Sequence, residues 1–109
     1  MVVAPFNFER RDLARATMLQ YEDVRDGTIA FRFVLGSAVR PKHDNSETTQ
    51  LETQLRQELS THTDVVVVDA LDGKSVDTQC ACTEKTVGWM QYALRRWPHA
   101  TYYAKTEDD

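Results

Sequence analysis

Asp64-Val65-Val66-Val67-Val68-Asp69 sets four β-branched residues in a row between two aspartates. Branching at Cβ stiffens the side chain and favours extended backbone, and an unbroken apolar run marks a strand covered on both faces. The stretch predicts a central strand of a parallel sheet, with Asp69 at its carboxyl end. Parallel neighbours require long crossovers, usually helical, and both flanks supply them. Upstream, 47–60 carries Leu51, Leu55 and Leu59 on one stripe behind the capping candidates Asp44, Asn45 and Ser46. Downstream, 83–96 keeps Thr86, Trp89, Met90, Ala93, Leu94 and Trp97 at helical spacing until Pro98 stops it.

Further out the alternation continues. Residues 29–35 are apolar and β-prone, with Gly36 closing a second predicted strand. A first helix follows the cap candidate Asn7, places Ala14, Thr17, Met18 and Tyr21 on one face, and leaves through Asp26-Gly27. Residues 2–5 read as the end of a strand, and 100–105 as the last one. Loops are expected over 37–46 and 70–81. The order (β)-α-β-α-β-α-β predicts an α/β fold, a three-layer Rossmann-like sandwich of alternating β-α-β units. In that architecture Gly36, residues 69–72 and residues 107–109 share the carboxyl rim, where nucleotides bind.

The totals agree with one small globular domain. The chain has 109 residues, 28% charged and 41% hydrophobic, with a formal net charge of −4. That balance, without a Lys/Arg-dense stripe, argues against a nucleic-acid partner. No run reaches membrane-spanning length, and residues 1–5 are too short for a signal peptide. Cys80 and Cys82 are too close for an easy disulfide and too few for a zinc site, so they read as packing or loop thiols. Trp89 and Trp97 read as core; His43, His62 and His99 read as loop or surface residues.

The last residues, Lys105-Thr106-Glu107-Asp108-Asp109, put three carboxylates side by side after a predicted strand. Adjacent acids repel unless compensated, and a hard divalent cation such as Mn²⁺ or Mg²⁺ compensates them well. A solvated acidic tail is the alternative.

Several segments, in register, resemble one family. Asn7-Phe8-Glu9-Arg10-Arg11 with Arg15-Ala16-Thr17, then Phe33-Val34-Leu35-Gly36, are similar to the opening motifs of the β-1,3-galactosyltransferase-like glycosyltransferases. So are Leu55 and Glu58 followed by Asp64-Val65-Val66 and Asp69-Ala70-Leu71-Asp72. Thr83-Glu84-Lys85-Thr86 with Trp89, and Pro98-His99-Ala100 with Lys105 to Asp109, complete the pattern. Departures include Met18 for a usual Trp, Gly73-Lys74-Ser75 in the loop after Asp72, and Glu107 for the first Asp of a triplet. They are similar to those of protozoan members, phosphoglycan galactosyltransferases among them.

The resemblance implies a GT-A type fold, with 1–109 as its UDP-sugar-binding half. It implies inverting transfer from UDP-galactose or UDP-N-acetylglucosamine to a glycan acceptor, with Mn²⁺ or Mg²⁺ as cofactor. Asp109 is then the expected metal ligand, Glu107 lies toward the ribose or the metal's waters, and Asp108 supports the site. Arg11 and Arg15 suit the diphosphate or the uracil side; a surface pair bonded to acids such as Asp12 and Glu22 is the other reading. Asp69 is expected to touch uridine or, preferably, to hold Lys85 at a helix N-terminus, where a cation needs an anionic partner. Lys105 adds positive charge beside the acids. The catalytic base is expected from an acceptor-binding half beyond Asp109, so 1–109 alone is expected to be inactive. Lumenal Golgi residence, through an N-terminal anchor not contained in 1–109, is implied by the family. A small Rossmann-like binding module without chemistry is the competing expectation.

Overall fold

A computed structural model describes residues 1–39, 46–72 and 82–107. Helix α1 (Phe8–Ala16) leads into a 3₁₀ turn (Met18–Gln20) and the short helix α2 (Glu22–Arg25). Strand β1 (Phe33–Val39), helix α3 (Ser46–Thr61), strand β2 (Val65–Asp72) and helix α4 (Cys82–Arg96) follow. The fold is mixed α/β: a two-stranded parallel sheet with helices.

The valine run sets the register of that sheet. Phe33 pairs with Val65, Val34 with Val66, Leu35 with Val67 and Gly36 with Val68, with an irregularity between Gly36 and Ala38. Side chains alternate across a strand, so neighbouring valines serve opposite faces. Val34, Val66, Val68 and Ala70 pack with Val2, Trp89 and Ala93 of α4. Phe33 and Leu35 pack on the other face with Val3 and Ala14, joined by Leu55 of α3 and Val65. Gly88 permits the close seat of α4 on β2: a Cβ there would lie 2.8 Å from Val68 Cβ. Met1–Val3 lies beside β1, joined by a parallel bridge between Val2 and Val34, and a second parallel bridge links Val2 to Glu107.

The helices predicted at 47–60 and 83–96 correspond to α3 and α4, and Trp89 is buried as expected. Four expectations need correction. The first helix is not continuous to Asp26: the backbone departs from helix at Thr17 (φ −122°, ψ −80°), whose hydroxyl donates back to the Leu13 carbonyl at 2.7 Å. Its stripe ends there, and Tyr21 is exposed. The strand predicted at 29–35 begins instead at Phe33 and runs past Gly36, expected to close it, to Val39. The Ile29 N–H bonds to the Asp23 carbonyl and the Thr28 N–H to the Asp26 carboxylate, drawing 27–29 back onto α2 and away from the sheet. β2 runs three residues past Asp69 to Asp72, and where a central strand was expected, β1 is its one strand partner among the described residues. Val67, 47% exposed, shows the consequence. Finally, 100–105 is not a strand: among the described residues the backbone joins Met1–Val3 just past it, where the Val2 N–H donates to the Thr106 carbonyl at 2.8 Å.

Candidate functional site: the carboxyl end of the sheet

Both bridges of Val2 are parallel, so residues near 107, Met1–Val3, β1 and β2 all run the same way. Their carboxyl ends open on one side. Glu107 is level with Val2, Val34 and, through the β1 register, Val66. With strands about 4.8 Å apart, Glu107 and β2 stand roughly 14 Å apart across the sheet. Asp69 lies three residues beyond Val66, so the two acids share an end of the sheet without sharing a cluster.

Glu107 is exposed, and its carboxylate is ion-paired with the Lys105 ammonium. Lys105 therefore stands beside Glu107, the one described acid of the three. Asp108 and Asp109 lie outside the described residues, as do His43 and Cys80. The donor chemistry at Glu107 suits Mn²⁺ or Mg²⁺, since an accessible carboxylate oxygen is a hard ligand. Among the described residues there is no group of three or more metal-ligating side chains.

Lys85 is 4% exposed and donates to the Val3 carbonyl at 3.2 Å. Asp69 is not its partner. Strand alternation turns Val68 and Ala70 toward α4 and Asp69 the other way, where it is exposed. Lys85 and Glu107 thus flank the same short segment, one through Val3 and the other through Val2.

Arg11 and Arg15 occupy neither the rim nor the open surface. Arg11 is fully buried, with Nε and Nη2 donating to the two Glu58 oxygens at 2.8 and 2.6 Å. Its remaining bonds go to the Ala4 and Pro5 carbonyls, at 2.9 and 2.8 Å, and its guanidinium lies over the Phe8 ring. Arg15 grips Asp64 with two bonds, at 2.9 and 2.8 Å, contacts Glu58 and Asp12, and lies over the Phe33 ring. The acids that hold this pair are chiefly Glu58 and Asp64, and Glu22 is not among them. Burial pushes the Glu58 carboxyl up, but hydrogen bonds and charge from both arginines outweigh it and hold it below its usual value. Asp64 behaves likewise beside Arg15, and the Arg15 guanidinium is held even more firmly protonated, first by its hydrogen bonds to Asp64. With these donors spent inside the protein, α1 is fastened to α3 and to the turn before β2.

The sequence reading missed Glu58 as a buried partner. A signal was present: Glu58 falls three residues after Leu55 on the inward stripe of α3, whereas Leu59 is turned out and exposed.

An open cleft of about 1050 Å³ lies at the opposite end of the sheet, between residues 27–32 and 96–106, with Met1, Trp89 and Ala93 in its wall. Among the described residues no helix is long and apolar enough to cross a membrane.

Comparison with curated proteins and with solved structures gives no match. The galactosyltransferase family model, by contrast, matches residues 9–109, from the first turn of α1 through the acidic end. That match takes in Arg11, Arg15, Glu58, Asp64, Asp69, Lys85 and Glu107, the residues on which both the internal ion network and the carboxyl rim are built. The chain belongs to the galactosyltransferase family of glycosyltransferases.

Proposed function

We propose that the chain forms the donor-binding half of an inverting, UDP-sugar-dependent β-1,3-glycosyltransferase with a three-layer, GT-A type fold. UDP-galactose is the favoured donor, UDP-N-acetylglucosamine the alternative, and a glycan hydroxyl the acceptor. The observation that carries the reading is the delivery of Glu107 to the carboxyl end of parallel segments, in a chain of this family. Nucleotides favour that end of α/β sheets.

In this reading Asp109 and Glu107 hold Mn²⁺ or Mg²⁺, with Asp108 supporting them. The bound metal neutralises the negative charge that builds on the departing diphosphate. Lys105 keeps Glu107 in place until the metal competes for its carboxylate. Lys85 fixes Val3 and so the segment that aligns Glu107. The donor lies across the sheet end, its uridine toward the exposed Asp69. Arg11 and Arg15 make no ligand contact; they hold α1 against the sheet. The proton of the acceptor hydroxyl is taken by a base beyond Asp109, and the setting is the Golgi lumen.

Calorimetric titration with UDP tests this. Binding should require Mn²⁺, and Asp109→Asn should weaken it by tenfold or more, about 1.4 kcal/mol. UDP binding that ignores both the metal and the substitution overturns the reading in favour of a non-catalytic binding module.

A further inference from the structure

The ion pair of Lys105 with Glu107 joins two exposed side chains on a held backbone. Thr106, between them, accepts the Val2 N–H at 2.8 Å, and Glu107 bridges to Val2. The segment is thereby fixed to Met1–Val3, whereas the two charged ends are held by each other. They are 32% and 39% exposed, and among the described residues neither charged end has another partner. Exposed pairs of this kind are weak, so a stronger ligand for either member separates them. The other cations considered for the site are committed elsewhere. Arg11 and Arg15 are bonded to Glu58 and Asp64, and Lys85 is buried against the Val3 carbonyl. Of these four, Lys105 is the accessible one.

We propose that Lys105 is a donor-binding residue that exchanges Glu107 for the diphosphate of the nucleotide. The inference rests on the donor-binding reading above and adds to it a second state of this lysine. Without the metal, the ammonium offsets the negative charge of Glu107. When Glu107 turns to a divalent cation, the ammonium stands beside a like charge and is driven off. A nucleoside diphosphate on the same cation supplies phosphate oxygens within reach of the freed ammonium, and they take it over. A flexible four-carbon stem with three rotatable donors suits such a swing, whereas the planar fork of arginine suits a fixed mate. The backbone need not move, because the Val2 contacts keep Thr106 and Glu107 aligned in both states.

Two titrations on the full chain test the exchange, with Lys105→Met, which keeps the stem, and Lys105→Arg, which keeps the charge. Mn²⁺ binding without nucleotide is followed by the electron paramagnetic resonance of the free ion, and UDP binding at saturating Mn²⁺ by calorimetry. Lys105→Met should bind Mn²⁺ about two- to fivefold more tightly, because a competing exposed ion pair is gone. The same variant should bind UDP about tenfold more weakly, having lost a charge-assisted hydrogen bond. Lys105→Arg should shift both affinities less than Lys105→Met does. Opposite shifts in one variant are the signature, since a merely structural lysine would weaken both. Unchanged or tighter UDP binding by Lys105→Met overturns the proposal, and so does Mn²⁺ binding that is unchanged or weaker. UDP binding by the unsubstituted protein that is absent, or indifferent to Mn²⁺, instead defeats the donor-binding reading, and the proposal with it.

Discussion

Replacing Glu58 by glutamine should destabilise the protein by about 3–5 kcal/mol, the usual cost of stranding one member of a buried ion pair. The structure supports the upper part of that range. The Glu58 side chain is 9% exposed and Arg11 is fully buried. Two Arg11 donors and one from Arg15 converge on its oxygens within 2.8 Å. Glutamine keeps the shape but turns an amide donor toward a guanidinium donor, and it leaves the Arg11 charge facing the Ala4 and Pro5 carbonyls and the Phe8 ring, with no carboxylate. Against a total stability of about 5–15 kcal/mol for a domain, this is a large fraction. Urea unfolding at constant m-value measures it. The pair Arg11→Met with Glu58→Leu should recover most of the loss, because apolar replacement of both partners removes the stranded charge. A Glu58→Gln cost below about 1 kcal/mol, as for exposed pairs, would refute the buried-network argument. So would a double variant as unstable as the sum of its singles.

Two further outcomes follow from the same contacts. Acidification should destabilise the fold as Glu58 and Asp64 titrate. Both sit below their usual values of 4.5 and 3.8 when folded, so the unfolded chain takes up these protons first. Their contribution is complete above those usual values and is lost as pH falls through the lower folded ones. Urea midpoints from pH 7 to pH 3 should therefore drop at the acid end, and less steeply in Glu58→Gln. Gly88→Ala should lower the melting temperature. The added Cβ meets Val68 Cβ at 2.8 Å and its methyls at 3.1 and 3.2 Å, and overpacking of about 1–3 kcal/mol exceeds the helix-propensity gain of about 1 kcal/mol. Val68→Ala should then relieve the clash, whereas a rise in melting temperature for Gly88→Ala alone would contradict the close seat of α4.

What was legible in the sequence was what periodicity and branching encode. The valine run, the leucine-bearing α3 and the tryptophan-bearing α4 declare themselves within single segments, and they stand where expected to within a few residues. Residues 29–32 were misread because apolarity alone does not reveal that a turn bonded through Asp23 and Asp26 holds them off the sheet. Residues 100–105 carry strand-like side chains, but a strand also needs a neighbour, and that depends on residues a whole chain away at Met1–Val3. The arginines show the same limit in the site. Arg11 and Arg15 were visible as a pair at helical spacing, but their partners Glu58 and Asp64 lie 47 and 49 residues on. Nothing local distinguishes an arginine aimed at phosphate from one aimed at a buried carboxylate. Asp69 and Lys85 were kept apart by parity along one strand, which only the observed register decides.

The ion network also shapes how the molecule looks from a distance. Two guanidinium and two carboxylate charges, from Arg11, Arg15, Glu58 and Asp64, cancel within it, so it contributes almost nothing to the far field. The whole formal charge of −4 then belongs to the other side chains. An anionic nucleotide approaching within a Debye length, about 8 Å at physiological salt, meets that excess unscreened by the buried arginines. For the donor proposed here, arriving already bound to a divalent cation is the electrostatically easier approach.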